Sequence, residues 1–443
     1  MNPDSFFSDL ARFGDEPALI DRTSGRVIRY SDLEQALPKI SCRIVATCAK
    51  TSLDHVLFLL AALRQGALVA PISFRLPKAE AINRAHKLGA SELHSEFSCR
   101  AGVPPAIDRC SIAGETPALL AAGTLLQTSG SIGQARVVWH DLAAHIASAE
   151  GSAFRLPLGP GCGWLLQLPL NHVSGFSIPI RCLLSGAAVV FSDAENATED
   201  EAVTHLSLVP TQLQRLLDSG APLHRLRAVL VGGGPISSAL VERAICAGVP
   251  LHLTYGMTES ASQICTTDRL LETPAPLHSG VPLPGSEVRI SQAGEIQIRG
   301  PILAKKFLGP KGLWEDLADA DGWFGTGDLG TFTAEGNLVI QGRRDRLIIS
   351  GGENIQPETI ESLLLEMPGV RRAVVVGKPD PEFAERPVAF LAGDFQEAEV
   401  RQFLSCRLER FAIPRSFNPW PIAVGEDLAK PDFAFFKRLA ADI

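Results

Sequence analysis

Apolar and polar residues fall into blocks whose period changes along the chain. Short apolar runs that stop at glycine or proline recur: Leu206-Ser-Leu-Val-Pro210, Ala228-Val-Leu-Val231 before Gly232-Gly-Gly-Pro235, and Val249-Pro-Leu-His-Leu253 before Tyr255-Gly256. Such runs predict buried strands that open into loops. Thr211-Gln-Leu-Gln-Arg-Leu-Leu217 has the apolar spacing of a helix, with Thr211 at the capping position. The apolar run Pro117 to Leu126 and the later Val137-Val-Trp139 predict two strands around a turn. Helical and strand blocks alternate through most of the chain, which predicts an α/β protein with layered sheets.

From Gly294 the period becomes two. Glu295–Arg299 and Leu338–Arg343 alternate as half-buried strands should. We expect a boundary at Arg343 to Arg346, with a large multi-sheet domain over 1–343 and a small α+β domain over 344–443. The small domain reads as strand Arg346–Ser350, helix Pro357–Glu366, strands Arg372–Gly377 and Pro387–Ala392, helix Glu397–Glu409, and a tail. About 100 residues suffice for a unit that folds alone.

Bulk properties narrow the function classes. The chain has 443 residues, too many for one ordinary core. Its formal net charge is −8, and no basic patch with interleaved aromatics appears, which argues against nucleic acid as a main partner. An anionic ligand must then be met by local donors. The first residues lack a basic segment followed by a long apolar one, so no secretory leader is expected. Val56 to Pro71 is broken by Arg64 and Gln65 and is shorter than the ~20 residues that span a bilayer. Nine cysteines are scattered with no C-x-x-C pair, so neither a disulfide framework nor a zinc site is expected. A cytoplasmic protein fits, with Cys162 and Cys182 as core filler. The oligomeric state is open, a homodimer included.

The densest polar signal is Thr128-Ser-Gly-Ser-Ile-Gly133, ahead of Arg136. Glycines let backbone N–H groups approach an anion, and the hydroxyls of Thr128, Ser129 and Ser131 add donors without bulk. Gly130 and Gly133 make this a candidate phosphate cradle, although it is not a Walker loop and such clusters are commonly plain turns. Its weight comes from a downstream series of motifs: Tyr255-Gly-Met-Thr-Glu259, Gly325-Thr-Gly-Asp328, Gly342-Arg-Arg-Asp345, Ser350-Gly-Gly-Glu-Asn354 and a late Lys430.

That series resembles the adenylate-forming enzymes, from about residue 120 to the C-terminus. The resemblance implies ATP and Mg²⁺ as cofactors, coenzyme A as co-substrate and a small carboxylic acid as substrate. It implies that the Thr128–Gly133 loop wraps the β- and γ-phosphates, with Arg136 where the family has a lysine. Tyr255, with Gly256 and Met257, would face adenine, and Gly233-Gly234-Pro235 would form the opposite wall. Thr258 would contact the α-phosphate, and Glu259 would hold Mg²⁺. Asp328, assisted by Arg343, would accept from the ribose hydroxyls. Lys430, in Ala-Lys-Pro-Asp where the family has Gly-Lys-Ile-x-Arg, would bridge carboxylate and α-phosphate. Asp345 would be the hinge that brings Ser350, Gly351 and Gly352 to the site for thioester formation.

A closer likeness is to the o-succinylbenzoate–CoA ligases of menaquinone synthesis. It rests on Leu168-Pro-Leu-Asn-His-Val-Ser-Gly175, Ser207-Leu-Val-Pro-Thr-Gln-Leu213, Gly280-Val-Pro-Leu-Pro-Gly285 and Gly351-Gly-Glu-Asn-Ile-Gln-Pro357. His172, Ser174, Phe176 and Thr211 would line the acyl pocket. Ser260, Ser262 and Gln263 would meet a second substrate carboxylate. The sequence leaves open another aryl or fatty acid, a carrier protein as acceptor, and a nucleotide-binding pseudoenzyme.

Overall fold

The apolar runs of the sequence become neighbours in one nine-stranded sheet. Its order is Val281–Pro282, Ser262–Thr266, Leu251–Met257, Ala228–Val231, His205–Leu208, Gly163–Leu165, Ala188–Phe191, Pro17–Asp21 and Val27–Arg29. The pairs from Leu251–Met257 to Pro17–Asp21 are parallel. His205–Leu208, Ala228–Val231 and Ala188–Phe191 are buried along their whole length. Continuous apolar runs suit parallel strands covered on both faces. The computed structural model describes residues 3–90, 92–95, 121–128, 136–194, 196–309, 312–422, 424 and 432–443.

A second sheet of seven strands contains Lys306–Leu308, Val137–Asp141, Gly123–Gln127, Leu68–Pro71 and Ile44–Cys48 as consecutive members. The expected strand, turn and strand appear here as the antiparallel pair Gly123–Gln127 and Val137–Asp141. The apolar stretch after Val56 divides into the helix Leu53–Arg64 and the strand Leu68–Pro71. Helices start where a side chain takes up a free backbone N–H. Ser52 accepts from His55 N at 3.2 Å, and Asp141 accepts from Ala144 N at 2.9 Å. The helix Val173–Ser185 ends at Gly186, whose φ of 76° is the left-handed conformation of a C-terminal cap. Thr211 is not the cap of its helix. That helix spans Pro210–Asp218, and the Val209 N–H donates to Gln212 Oε1 at 3.0 Å. Proline at the first helical position needs no donor of its own.

The four-stranded sheet Glu287–Ile290, Glu295–Arg299, Phe324–Phe332 and Leu338–Arg343 is antiparallel throughout. Ile296 and Ile298 point inward from a strand whose other residues are half-buried, as the period of two requires. The chain leaves this sheet at Arg343, turns through Arg344–Arg346 and enters the last sheet at Ile348–Ser350.

In that last unit the helix Pro357–Glu366 has the expected bounds. The strands Val370–Asp380 and Ala384–Gly393 are longer than expected, because their charged ends continue the same ladder. The next helix stops at Ser405 rather than Glu409. The tail is also structured. Phe417–Pro419 pairs parallel with Ala384–Gly393, and the helix Phe433–Asp442 sets Phe436 against Phe390 and Trp420. Asp432 caps that helix by accepting from Phe435 N at 3.0 Å.

One buried ion pair organises this unit. Arg346 donates to both carboxylate oxygens of Glu361 and to Glu358 Oε1, and its guanidinium lies 3.8 Å from the Phe433 ring centroid. Burial works against its charge, yet Glu361 and Glu358 hold it above its ordinary value. Removing one partner strands a charge. Glu361→Ala should therefore destabilise this unit by about 3–5 kcal/mol, read as a lowered urea midpoint for fluorescence of Trp420.

Candidate active site

The strand Leu251–Met257 carries the site's first residues because it changes neighbours midway. Its first half pairs parallel with Ala228–Val231, and its second half pairs antiparallel with Ser262–Thr266 through an irregularity at Tyr255/Gly256. A Cβ at Gly256 would collide with the Ser262 carbonyl, so only glycine permits this ladder. The tight turn Thr258–Ser260 then places Thr258 and Glu259 at the strand's end. Such strand ends are where α/β sheets bind ligands. Gly233, Gly234 and Pro235 form the loop after the adjacent strand, Gly233 in the left-handed region with φ 78°, beside Val209 and Pro210.

Tyr255 joins this strand end to the four-stranded sheet. Its hydroxyl donates to Asp328 Oδ2 at 2.6 Å. Arg343 Nη1 donates to Asp328 Oδ1 at 3.1 Å and to the Thr326 carbonyl at 3.2 Å. Two more Arg343 nitrogens grip Asp345 at 3.1 and 3.0 Å. Burial raises the Tyr255 hydroxyl well above its ordinary value, with Asp328 adding to it. Burial also raises the Asp328 carboxyl, against the pull of Tyr255 and Arg343. The result is a carboxylate fixed in direction, with lone pairs left for further donors.

Glu259 is different. Burial raises its carboxyl, and it senses Arg343 and Arg136 as attractive charges and Asp328 as a repulsive one. Among the described residues it has no ion-pair partner within 4 Å. A half-buried carboxylate with no cation in contact fits a small divalent ion, which takes one or two carboxylates beside phosphate oxygens. Arg136 lies at the mouth of the glycine-rich turn, where Thr128 N donates to the Arg136 carbonyl at 2.8 Å, and its guanidinium is 5.5 Å from the Phe307 ring centroid. Ser129, Gly130, Ser131 and Gly133 lie outside the described residues, as does Lys430.

His172 and Ser174 are exposed at the start of the helix Val173–Ser185, while Phe176 is buried against the ring of His145 at 5.0 Å. Thr211 is exposed in the first turn of its helix. The assignment of Ser260, Ser262 and Gln263 as one donor set needs correction. Ser260 has no exposed surface and bonds to Met257 and Ser262 backbone within its own turn. Gln263 points into the ladder and donates to Thr266 Oγ1 at 2.7 Å. The irregularity at Tyr255/Gly256 sets which side of the strand each residue takes, and the sequence does not show it. Ser262 alone faces the Val173–Ser185 helix, where its hydroxyl accepts from Arg181 at 2.7 Å.

Arg181 is the residue that sequence reasoning missed. It is 1% exposed, with its guanidinium 5.5 Å from the Trp164 ring centroid. Its Nε has no partner, and no described carboxylate lies within ion-pair range. Burial pushes it down to about 10, so it remains charged at neutral pH. A lone arginine nine residues after His172 in an apolar helix was the available signal.

The turn with Ser350, Gly351 and Gly352 sits elsewhere. Ser350 is buried with an unpaired hydroxyl, and Gly351 N donates to the Phe383 carbonyl at 2.9 Å inside the small sheet.

Asp328, anchored by Arg343, and half-buried Glu259 meet at adjoining sheet ends, the place where α/β enzymes bind nucleotides. Residues 115–308 match the model of the AMP-binding enzymes, and 359–421 that of their C-terminal domain. A 2-succinylbenzoate–CoA ligase of Listeria monocytogenes is 38% identical over 323 residues, 69% of this chain and 68% of that protein. The alignments with the ligases of Listeria monocytogenes, Salmonella typhimurium and Escherichia coli span 62–68% of their lengths. The o-succinylbenzoate CoA synthetase of Bacillus subtilis, in complex with its acyl-adenylate intermediate, superposes with a TM-score of 0.80 at 26% identity over 94% of each chain. The same enzyme with ATP and a magnesium ion gives 0.78 at 26% identity, over 94% of this chain and 95% of that one. The chain belongs to the AMP-binding enzyme family.

The raised Glu259 carboxyl has a stability consequence with a defined sign. Its ionised form is disfavoured by folding, so Glu259→Gln should raise the melting temperature of the ligand-free protein at pH 7–8. The gain should shrink as pH falls through the raised value and vanish near the ordinary 4.5. Thermal scans across that range check this, and the same variant should lose Mg²⁺-dependent nucleotide binding.

Proposed function

We propose that this chain is an ATP-dependent acid–CoA ligase that makes 2-succinylbenzoyl-CoA from 2-succinylbenzoate for menaquinone synthesis. The carboxylate oxygen attacks the α-phosphorus, and the bond to pyrophosphate breaks. Coenzyme A sulfur then attacks the acyl carbon, AMP departs and the thiol proton is lost.

Arg181 carries the choice of acid. A buried cation facing Ser262 beside the Tyr255–Glu259 strand end, with no described carboxylate to match it, suits an acid with a second anionic group. 2-Succinylbenzoate keeps one carboxylate free while the other is activated. Trp164 and Phe176 supply apolar surface behind it. Apolar surface with a few placed donors is the usual lining of a small-molecule site.

The other residues divide the work. Asp328, aligned by Tyr255 and Arg343, accepts from the ribose hydroxyls. Tyr255, Gly256, Met257, Gly233, Gly234 and Pro235 enclose the base, and Thr258 meets the α-phosphate. Glu259 holds Mg²⁺, which neutralises phosphate charge when bound. The Thr128–Gly133 loop and Arg136 take the outer phosphates, and His172, Ser174 and Thr211 border the acyl side. Lys430 bridges the reacting anions in the reading from sequence. The unit after Arg343 turns at Asp345 to bring Ser350, Gly351 and Gly352 to the thiol step. The ion pair Arg343–Asp345 at this junction supports a switch there, since it joins the ribose site to the hinge.

ATP–pyrophosphate exchange with 2-succinylbenzoate, benzoate and a medium-chain fatty acid tests the reading. Signal with 2-succinylbenzoate alone is expected, and silence with every acid would defeat it. Arg181→Gln should raise KM for 2-succinylbenzoate about 30-fold or more, since losing one partner of a buried charge pair costs about 2–5 kcal/mol. Lys430→Ala should slow adenylation about 10²–10³-fold, the loss expected for one preorganised charge-stabilising donor. Thioester formation from supplied acyl-adenylate should change far less, and equal loss in both steps would remove the role.

A further inference from the structure

Behind the turn that carries Thr258 and Glu259 lie two histidines that the reaction above does not use. His140, on the strand Val137–Asp141, has no exposed surface, and His145, on the helix Leu142–Arg155, has 2%. Their ring centroids are 5.1 Å apart. His145 is fixed on both sides: Nε2 shares a 2.8 Å hydrogen bond with Thr124 Oγ1, and its ring meets Phe176. Thr124 is also the residue opposite His140 in the strand ladder.

His140 has no equivalent tie. Neither of its ring nitrogens makes a hydrogen bond of ordinary geometry. The backbone of Thr258 and Glu259 lies near enough to the ring to favour its protonated form, short of a hydrogen bond. Two backbone bonds keep that turn beside His140's strand. Ala304 N donates to the Glu259 carbonyl at 2.8 Å, and the next residue's N–H, Lys305, donates to the Trp139 carbonyl at 2.9 Å. The metal turn, the segment at Ala304 and the histidine strand are therefore bolted together one residue apart.

A neutral imidazole always carries one N–H, and leaving a buried donor unspent costs about 1–3 kcal/mol. A partner drawn closer on ligand binding would recover that cost. Hydrogen bonds within active sites are often long in the free enzyme and close in its complex.

We propose that His140 is a positioning residue for the metal turn: its ring N–H closes on the Thr258–Glu259 backbone when nucleotide and Mg²⁺ engage Glu259, and so fixes the carboxylate's direction. The inference rests on the assignment of Glu259 to the metal. His145, held by Thr124 and Phe176, blocks the ring from turning away. The same stack links the metal turn to the helix that carries Arg181.

Equilibrium ATP binding by the full chain, with and without Mg²⁺ and with no acid present, reads this without turnover. His140→Phe should weaken Mg²⁺-dependent binding about 10-fold, the worth of one hydrogen bond regained in the complex. Mg²⁺-free binding and the melting temperature should stay near wild type. His140→Asn and His140→Gln place an amide N–H near one or the other ring nitrogen, and one of them should restore binding. In the exchange assay kcat should fall about 10-fold while KM for the acid stays within about two-fold. A His140→Phe protein with wild-type Mg²⁺ dependence overturns the inference. So does failure of both amide variants despite native melting curves, and these two variants decide the matter if His140→Phe does not fold. Wild-type binding that ignores Mg²⁺ would instead remove the assignment of Glu259.

Discussion

A single file of polar contacts, Tyr255 to Asp328 to Arg343 to Asp345, holds three parts of the molecule in register. Tyr255 belongs to the nine-stranded sheet, Asp328 and Arg343 to the four-stranded sheet, and Asp345 to the connection into the last sheet. Asp328, at the centre of the file, is buried, so its bonds to Tyr255 and Arg343 are worth more than an exposed pair of the same length, while the Arg343–Asp345 link is partly open to water. The ladders themselves are local. It is this file that sets the glutamate turn, the aspartate and the small unit at defined distances from one another. A change at Asp345 is felt at Asp328 through one guanidinium.

Around that file the site is built from deficits. Among the described residues, half-buried Glu259 has no cation in ion-pair range, buried Arg181 has no matching carboxylate, and the ring nitrogens of His140 have no hydrogen-bond partner. A core shaped for stability alone would pair or remove such groups. Their opposite signs on either side of one strand end match the two ligands of the proposed reaction, a nucleotide with its metal and an acid with a spare carboxylate. The small unit shows the other solution, with Arg346 in its entry turn paired to Glu361 and Glu358 on the helix Pro357–Glu366.

Much of the frame is legible in the sequence because burial on both faces writes continuous apolar runs. Ala228–Val231, Glu295–Arg299 and the helix Pro357–Glu366 can be bounded from the pattern alone. Misplaced elements share a cause. Thr211 looks like a cap because it precedes the apolar spacing, but Pro210 already starts the helix. The helix Phe433–Asp442 escapes notice although Asp432 announces it, since short aromatic-rich segments carry no clear period. Within the site, short motifs point to Tyr255, Glu259, Asp328 and Arg343, but not to the Tyr255–Asp328 contact, which joins residues 73 apart in sequence. Gln263 is misjudged because one irregularity in a ladder reverses which way a strand's side chains point. Arg181 stands out in the sequence only as a lone charge in an apolar helix, because its meaning comes from Ser262, 81 residues away.

The poorly matched charges of Glu259 and Arg181 count against the stability of the fold until ligands meet them. Anything that binds only the folded state adds to its stability by mass action, and a metal–nucleotide complex or a dianionic acid relieves a strain as well as filling a space. The lifetime of the polypeptide against proteases is thereby tied to the metabolites it consumes. When they run short, the population of opened molecules rises.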